Sequence, residues 1–341
     1  MGEGLKKIVV MHQASIGDTL LATSVFRAIK ETYPACRVVA VTSHVGYEML
    51  KGAEDIDVLL PYEKGDPVFP VFRAIWRADA AVILDLHYRN ALYAFLAMIP
   101  KRIGLGKDFI NIPIQDLEWQ VYEPYKYLNF LRPIGVTTEH MQLIRPRPSA
   151  EEAARVREMC ADLREAAGRK LVLLAPYSLD SLKDWEPPKY RELIRRLQKA
   201  GHVTAIIGGK AERPRADQDF PEAVNLAGMT NLRETAELID QSDLLVCGCT
   251  SVLHISSTTS TASVAIYGPS SPKQWAPKQG CRVVTHWFPC SPCHNFGGEP
   301  CQDNRCIQEI SVDEVWEAVQ QELQAPCKGS GSAVQKSENR F

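Results

Sequence analysis

Short apolar runs rich in β-branched residues alternate with longer stretches of helical character along this chain, and the alternation happens twice. In the first half the runs fall at residues 8–11, 37–41, 58–60 and 81–84; in the second they fall at 170–175, 203–207, 244–247 and 263–267. Strands separated by helices pair in parallel, because a parallel connection needs a crossover of a dozen or more residues. Such strands are covered on both faces and read as continuous rather than alternating apolar runs. The expected fold class is therefore α/β, with two Rossmann-like, doubly wound domains facing each other across a cleft. Ligands of such sheets sit at the carboxyl ends of the strands.

The intervening stretches carry the matching helical period. Leu21, Val25, Ala28 and Ile29 form one stripe of a helix expected over 18–33, which Pro34 stops. Tyr190, Leu193, Ile194 and Leu197 share a face of a helix that ends before Gly201. Asn231 with Glu234 reads as a capping box. A chain of 341 residues with 45% hydrophobic content exceeds one ordinary core. The pattern breaks between 145 and 169, which suggests a first domain over 1–160 and a second over 168–310. A last amphipathic helix follows at 311–325, and the polar tail 326–341 is expected to be disordered.

Lys and Arg total 39 against 41 Asp and Glu, so the field is weak and nucleic acid is not an expected partner. The apolar run at 8–11 is too short for a signal peptide or a membrane span, which points to the cytoplasm. There, ten cysteines are reduced thiols or metal ligands by default. Neither GxGxxG nor GxxxxGK[ST] occurs, which argues against a dinucleotide oxidoreductase and a nucleoside triphosphatase.

Four segments place chemistry at strand ends. Gln13-Ala-Ser-Ile-Gly-Asp18 puts Asp18 at a helix start, where it reads equally as an N-cap or as a general base. Lys183 follows the strand at 170–175, and a cation there can neutralise a diphosphate; a solvated surface lysine is the alternative. Glu212, after Gly208-Gly209, can accept from ribose hydroxyls or cap an ordinary turn. Thr250 and Ser251 open a helix whose free amides can hold phosphate, and His254 one turn on can add a donor; caps and structural hydrogen bonds are the competing readings.

Taken in order, Ile16-Gly-Asp-Thr-Leu-Leu-Ala, Lys30-Glu-Thr-Tyr-Pro34, Lys183-Asp-Trp-Glu-Pro-Pro, Gly208-Gly-Lys-Ala-Glu212, Asn225-Leu-Ala-Gly-Met-Thr-Asn-Leu-Arg-Glu and Tyr267-Gly-Pro-Ser-Ser-Pro resemble glycosyltransferase family 9. Its best-known members are ADP-heptose:lipopolysaccharide heptosyltransferases. The resemblance spans about residues 6 to 320 and rests on the fixed order of six motifs. It implies a GT-B fold and inverting, single-displacement sugar transfer with no catalytic metal, Asp18 as base, and Lys183, Glu212, Thr250, Ser251 and His254 on the donor. The implied donor is a nucleotide diphosphate sugar, ADP-heptose above all. The implied acceptor is a lipopolysaccharide inner core or another lipid-linked or oligosaccharide envelope glycan, reached by peripheral contact at the inner membrane face.

The same resemblance places His87 and Arg89 on the acceptor side, with a packed loop residue as the competing reading of His87, and Lys101 and Arg102 are a candidate basic contact for the acceptor or its membrane. One departure stands out: the family reads Asp-Ser-Gly-Pro-Met-His where this chain reads Cys249-Thr-Ser-Val-Leu-His254. A thiol in place of that carboxylate leaves open a different donor sugar, or a nucleotide-binding protein that has lost catalysis. Near the end, Cys290, Cys293, Cys301 and Cys306 are spaced to surround zinc or iron in a structural site, with disulfides or free thiols as the alternatives.

Overall fold

The computed structural model describes residues 4–325 apart from 107, 116, 119, 139–140, 168–169, 294–300 and 302. Two six-stranded, all-parallel sheets organise it. The first contains β1 (Lys7–His12), β2 (Arg37–Thr42), β3 (Val58–Pro61), β4 (Ala80–Ile83), β5 (Lys101–Gly104) and β6 (Ile112–Pro113), in the order β3-β2-β1-β4-β5-β6. The second contains β7 (Leu171–Ala175), β8 (Val203–Ile206), β9 (Val224–Asn225), β10 (Leu244–Gly248), β11 (Ser263–Tyr267) and β12 (Cys281–Thr285), in the order β12-β11-β10-β7-β8-β9.

Both faces of each central strand are used, which is why the runs are continuously apolar. Ile8 and Val10 enter one apolar cluster with Val38, Ala40, Ala80 and Val82. Val9 and Met11 point the other way, into a cluster with Val39, Val41, Ala81 and Ile83. In the second sheet Leu171 and Leu173 belong to the cluster of Ile8, whereas Val172 and Leu174 pack on Tyr190, Leu193, Ile194 and Leu197 of the helix Pro187–Lys199. One cluster thus runs through both halves, and the lobes are joined by packing as well as by the chain.

Two expectations are corrected. The helix expected over 18–33 is two helices, Ile16–Ala22 and Ser24–Thr32, with the break at Thr23. Thr23 Oγ1 donates to Leu20 O at 2.6 Å and accepts from Ile144 N at 2.9 Å, so a long-range partner interrupts the helix ladder. The first unit also ends earlier than 160. The helix Ala150–Ala167 packs on the second sheet's elements, through the ion pairs Arg155–Glu234 and Arg164–Asp243. The helix Val312–Gln324, with Ser311 and Glu314 as its capping box, closes the second lobe against β11 and β12. The tail 326–341 lies outside the described residues. No helix among the described residues is long and apolar enough to cross a membrane.

Candidate active site

Strand order fixes where a crevice forms. In the first sheet the chain moves outward from β1 through β2 to β3, then returns to β4 on β1's other side. In the second it moves from β7 through β8 to β9 and returns to β10. Connections leave neighbouring strands in opposite directions at these two switch points, and ligands bind outside the carboxyl ends there. Asp18 and Asp85 follow β1 and β4; Lys183 and Cys249 follow β7 and β10.

Asp18 is the third residue of its helix rather than the N-cap, which is Ser15. The Ser15 hydroxyl accepts from Asp18 N at 3.4 Å and lies 2.8 Å from Asp18 Oδ2, to which it donates. One carboxylate oxygen is thereby oriented. At the neighbouring strand end of the same lobe, Asp85 accepts from Gln13 N at 2.9 Å and from Asn90 Nδ2 at 3.0 Å, while Asn90 Nδ2 also donates to Gln13 Oε1 at 2.6 Å. This network rigidifies both strand ends. His87 belongs to it, with Nδ1 3.5 Å from Asp85 Oδ2 and its ring half exposed. Arg89 stacks 6.0 Å from the Tyr62 ring, its Nε buried without a hydrogen-bond partner among the described residues. The parallel pairing of β1 with β4 is what brings Gln13 and Asn90 together.

On the second lobe, Lys183 ends a short 3-10 turn, Ser181–Lys183, and its ammonium has no ion pair among the described residues. Gly248 leaves just enough room for this turn, since a Cβ there would stand 3.2 Å from Lys183 O. Thr250 is the N-cap of the helix Ser251–Ser256 but makes no capping bond through its side chain. The hydroxyls of Thr250, Tyr267 and Ser270 and Nδ1 of His254 are all buried without a hydrogen-bond partner among the described residues. Tyr267 and Ser270 lie beside the Cys249 sulfur without forming a well-aligned bond to it. Buried polar groups are almost always satisfied, so this concentration of unsatisfied ones marks a place where a polar ligand completes the structure. Burial pushes the Cys249 thiol up, so it stays neutral.

The lobes meet at Gly17. A Cβ on that residue would stand 2.9 Å from His254 Cδ2 and 3.7 Å from Ser251 Cα, so only glycine permits the helices Ile16–Ala22 and Ser251–Ser256 to approach this closely. Further along the seam, Gln274 Nε2 donates to Glu123 Oε2 at 3.0 Å, and Glu123 pairs with Lys126 at 2.6 Å, all three buried. His254 and Cys249 each feel both the Asp18 carboxylate and the Lys183 ammonium, so groups from opposite lobes converge on one locus.

Burial lowers the His254 pKa to about 4, with Lys183 acting in the same direction and Asp18 against it. The ring is therefore neutral near pH 7, and it offers a phosphate a neutral N–H and no cationic charge. Because the folded value lies below the unfolded 6.5, stability is complete above about pH 6.5 and is lost as pH falls toward about 4. The loss attributable to this group is on the order of 3 kcal/mol. We expect His254→Gln to flatten the denaturation free energy between pH 6.5 and 4 relative to the parent; parallel curves for the two proteins would contradict the assignment.

Glu212 follows β8 and turns back on its own loop, where Oε2 accepts from Gly209 N at 2.6 Å as part of a capping box. Its charge is felt at Asp184, the residue after Lys183. Lys101 and Arg102 do not join the site, contrary to expectation. They open β5, in register with Ala80 and Ala81 at the start of β4, and so lie at the amino end of the sheet, away from the cleft. Arg102 donates to Phe109 O and Ile99 O, both at 2.6 Å, and is a structural clamp. Cys290, Cys293, Cys301 and Cys306 lie near one another, since burial and the other three sulfurs push Cys306 up to about 11. All four are free thiols, and no group of three or more His, Cys, Asp or Glu among the described residues is arranged to hold an ion. Residues 294–300 and 302 of this segment lie outside the described residues.

With this geometry in place, similarity to known proteins is informative. The family model described as glycosyltransferase family 9 (heptosyltransferase) matches residues 69–297. Lipooligosaccharide heptosyltransferase 2 of Haemophilus influenzae is 22% identical over 295 residues, covering 79% of this chain and 85% of that protein. The crystal structure of a family 9 glycosyl transferase from Veillonella parvula superposes with a TM-score of 0.81 at 18% identity, over 95% of this chain and 98% of the other. That of Escherichia coli ADP-heptose LPS heptosyltransferase II gives 0.76 at 20% identity, over 93% and 98%. These neighbours share the two-lobed GT-B architecture.

Proposed function

We propose, for a chain that belongs to glycosyltransferase family 9, that it moves a heptose from ADP-heptose to a hydroxyl of a lipopolysaccharide inner core, with inversion at the anomeric carbon. The observation that carries the site assignment is the convergence of Asp18 and Lys183, from opposite lobes, on His254 and Cys249. Asp18, oriented by Ser15, takes the proton of the acceptor hydroxyl as that oxygen attacks the anomeric carbon. The bond to the diphosphate breaks on the opposite side, and ADP leaves with the electron pair. Lys183, the amides at Thr250 and Ser251 and the neutral His254 ring stabilise the charge that grows on the diphosphate. Glu212 holds the nucleoside ribose, and His87 and Arg89 border the acceptor. Incubation with ADP-heptose and an inner-core acceptor tests this: glycosylated acceptor and free ADP are expected, and absence of both removes the proposal.

Cys249 favours one variation. A neutral thiol among the hydroxyls of Thr250, Tyr267 and Ser270 accepts hydrogen bonds from a sugar diol less well than the family's carboxylate. A donor sugar other than heptose is the second reading, and competition between ADP-heptose and ADP-hexoses decides between them.

The thiols Cys290, Cys293, Cys301 and Cys306 suit zinc or iron as a donor set, although in this conformation they do not close round one point. The proposed role is structural, with no part in transfer. About one equivalent of metal per chain is expected on elemental analysis and should be lost in Cys306→Ser; metal-free parent protein would overturn this.

A further inference from the structure

The helix that carries Asp18 rests on a buried polar step at the carboxyl end of the first sheet. His12 ends β1 and Thr42 ends β2, in register with each other, so their side chains stand together on one face. Ile8, Val10, Val38 and Ala40 make that face apolar below them. At its top it ends instead in an imidazole and a hydroxyl. His12 is 7% exposed and Thr42 3%. Both His12 ring nitrogens and Thr42 Oγ1 are buried without a hydrogen-bond partner among the described residues. The His12 ring meets the Tyr127 ring edge-on, with centroids 5.4 Å apart, which fixes its plane. Gly46 lets the helix His44–Leu50 close over Thr42, because a Cβ there would collide with Thr42 Oγ1.

His12, Thr42, Thr19, Ala22 and Leu84 border a cavity of about 10 Å³. That is room for one water molecule, which needs two or more polar partners to stay. Thr19 follows Asp18 in sequence and Ala22 ends the same helix, so the cavity lies between the strand ends and the underside of the helix Ile16–Ala22. Burial, helped by His87, holds the His12 pKa below the ordinary imidazole value against the pull of Asp85 and Asp18, and the ring is neutral near pH 7. A neutral imidazole presents one N–H and one bare nitrogen, and a hydroxyl both donates and accepts, so a single water can join the two side chains. The rest of the mounting of Asp18 is made by direct bonds. Ser15 donates to its carboxylate, Gln13 N donates to Asp85, and Ala14 O accepts from Ser43 Oγ at 3.1 Å and from Thr19 Oγ1 at 3.3 Å. These fix the loop ahead of the helix, and the polar step supports the helix from beneath.

We propose that His12 is a positioning residue for the base: with Thr42 it holds one buried water beneath the helix Ile16–Ala22 and so sets the height at which Asp18 meets the acceptor hydroxyl. This rests on the reading of Asp18 as the base, yet the water is observed by crystallography with neither donor nor acceptor, so the two readings fail separately. A crystal structure of the full chain should show one ordered water within hydrogen-bond distance of a His12 ring nitrogen and of Thr42 Oγ1; a dry cavity overturns the proposal. His12→Phe keeps an aromatic ring and removes the nitrogens. It should lower kcat by about tenfold to a hundredfold, the effect of a displacement near 1 Å at a reacting group. KM for ADP-heptose should stay within about twofold, because the groups assigned to the donor belong to the other lobe. Thermal unfolding should not fall, since fewer buried polar atoms then need partners. His12→Gln, which can still bond a water, should recover most of the turnover, and Thr42→Val, of the same shape without the hydroxyl, should lose turnover as His12→Phe does. Unchanged kcat in both His12→Phe and Thr42→Val overturns the proposal, as does His12→Gln as slow as His12→Phe. A raised KM together with lower melting in Thr42→Val means a general loosening of the lobe and overturns it as well.

Discussion

Asp18→Ala is expected to lose turnover by roughly 10² to 10⁴ while holding ADP within a few-fold of the parent affinity. The factor corresponds to roughly 3–5 kcal/mol of barrier. The separation of the two effects follows from the architecture: the carboxylate comes from the helix after β1, whereas the groups assigned to the nucleotide follow β7, β8 and β10 on the other lobe. Alanine also removes the acceptor of the Ser15 hydroxyl at the helix start, a stability cost of about 1 kcal/mol that calorimetry can record separately. Asp18→Asn keeps a hydrogen-bonding group for Ser15 but has no basicity, so it should lose as much turnover with less destabilisation. Turnover near the parent level in both variants would take Asp18 out of the chemistry.

Lys183→Ala is expected to weaken ADP binding by roughly tenfold to a hundredfold, the worth of a charge-assisted hydrogen bond to phosphate. It should lower kcat/KM by more, since charge on the diphosphate oxygens rises as the glycosidic bond breaks and the ammonium acts most strongly there. The lack of an ion-pair partner makes this a clean test: no carboxylate among the described residues is left stranded when the charge is removed. Lys183→Arg should recover part of the affinity and less of the rate, because a planar fork does not occupy the position of a compact ammonium. Equal ADP affinity in parent and alanine variant, measured by titration calorimetry, would contradict the assignment.

How far the site could be read in advance depended on what each residue needed in order to be noticed. Asp18, Lys183 and Glu212 sit within a few residues of a strand end, and strand ends are visible as the edges of apolar runs. Thr250 and Ser251 were visible for the same reason. The contact between Gln13 and Asn90 was not, because that hydrogen bond joins residues 77 positions apart. Lys101 and Arg102 were misplaced because a basic pair looks alike at either end of a strand; its register with Ala80 and Ala81 is what assigns it to the far side. His254 was read as a donor to phosphate, and burial at the interlobe seam keeps it neutral. The break at Thr23 was hidden because the stripe of Leu21, Val25 and Ile29 continues across it, while its cause, Ile144 N, lies 121 residues away.

Local periodicity, strand ends and the order of short motifs therefore determined the class of fold, the number of sheets and the residues available for chemistry. Those features depend on neighbours within a few positions, which a linear pattern records. Strand order, the approach of Gly17 to His254 and the placing of Asp18 and Lys183 within electrostatic reach of His254 were decided only in three dimensions. The reason is that the contacts responsible join segments far apart in sequence, 72 residues for the pairing of β1 with β4 and 237 for the approach of Gly17 to His254. Their energies come from packing and desolvation between surfaces that do not exist until both lobes have folded.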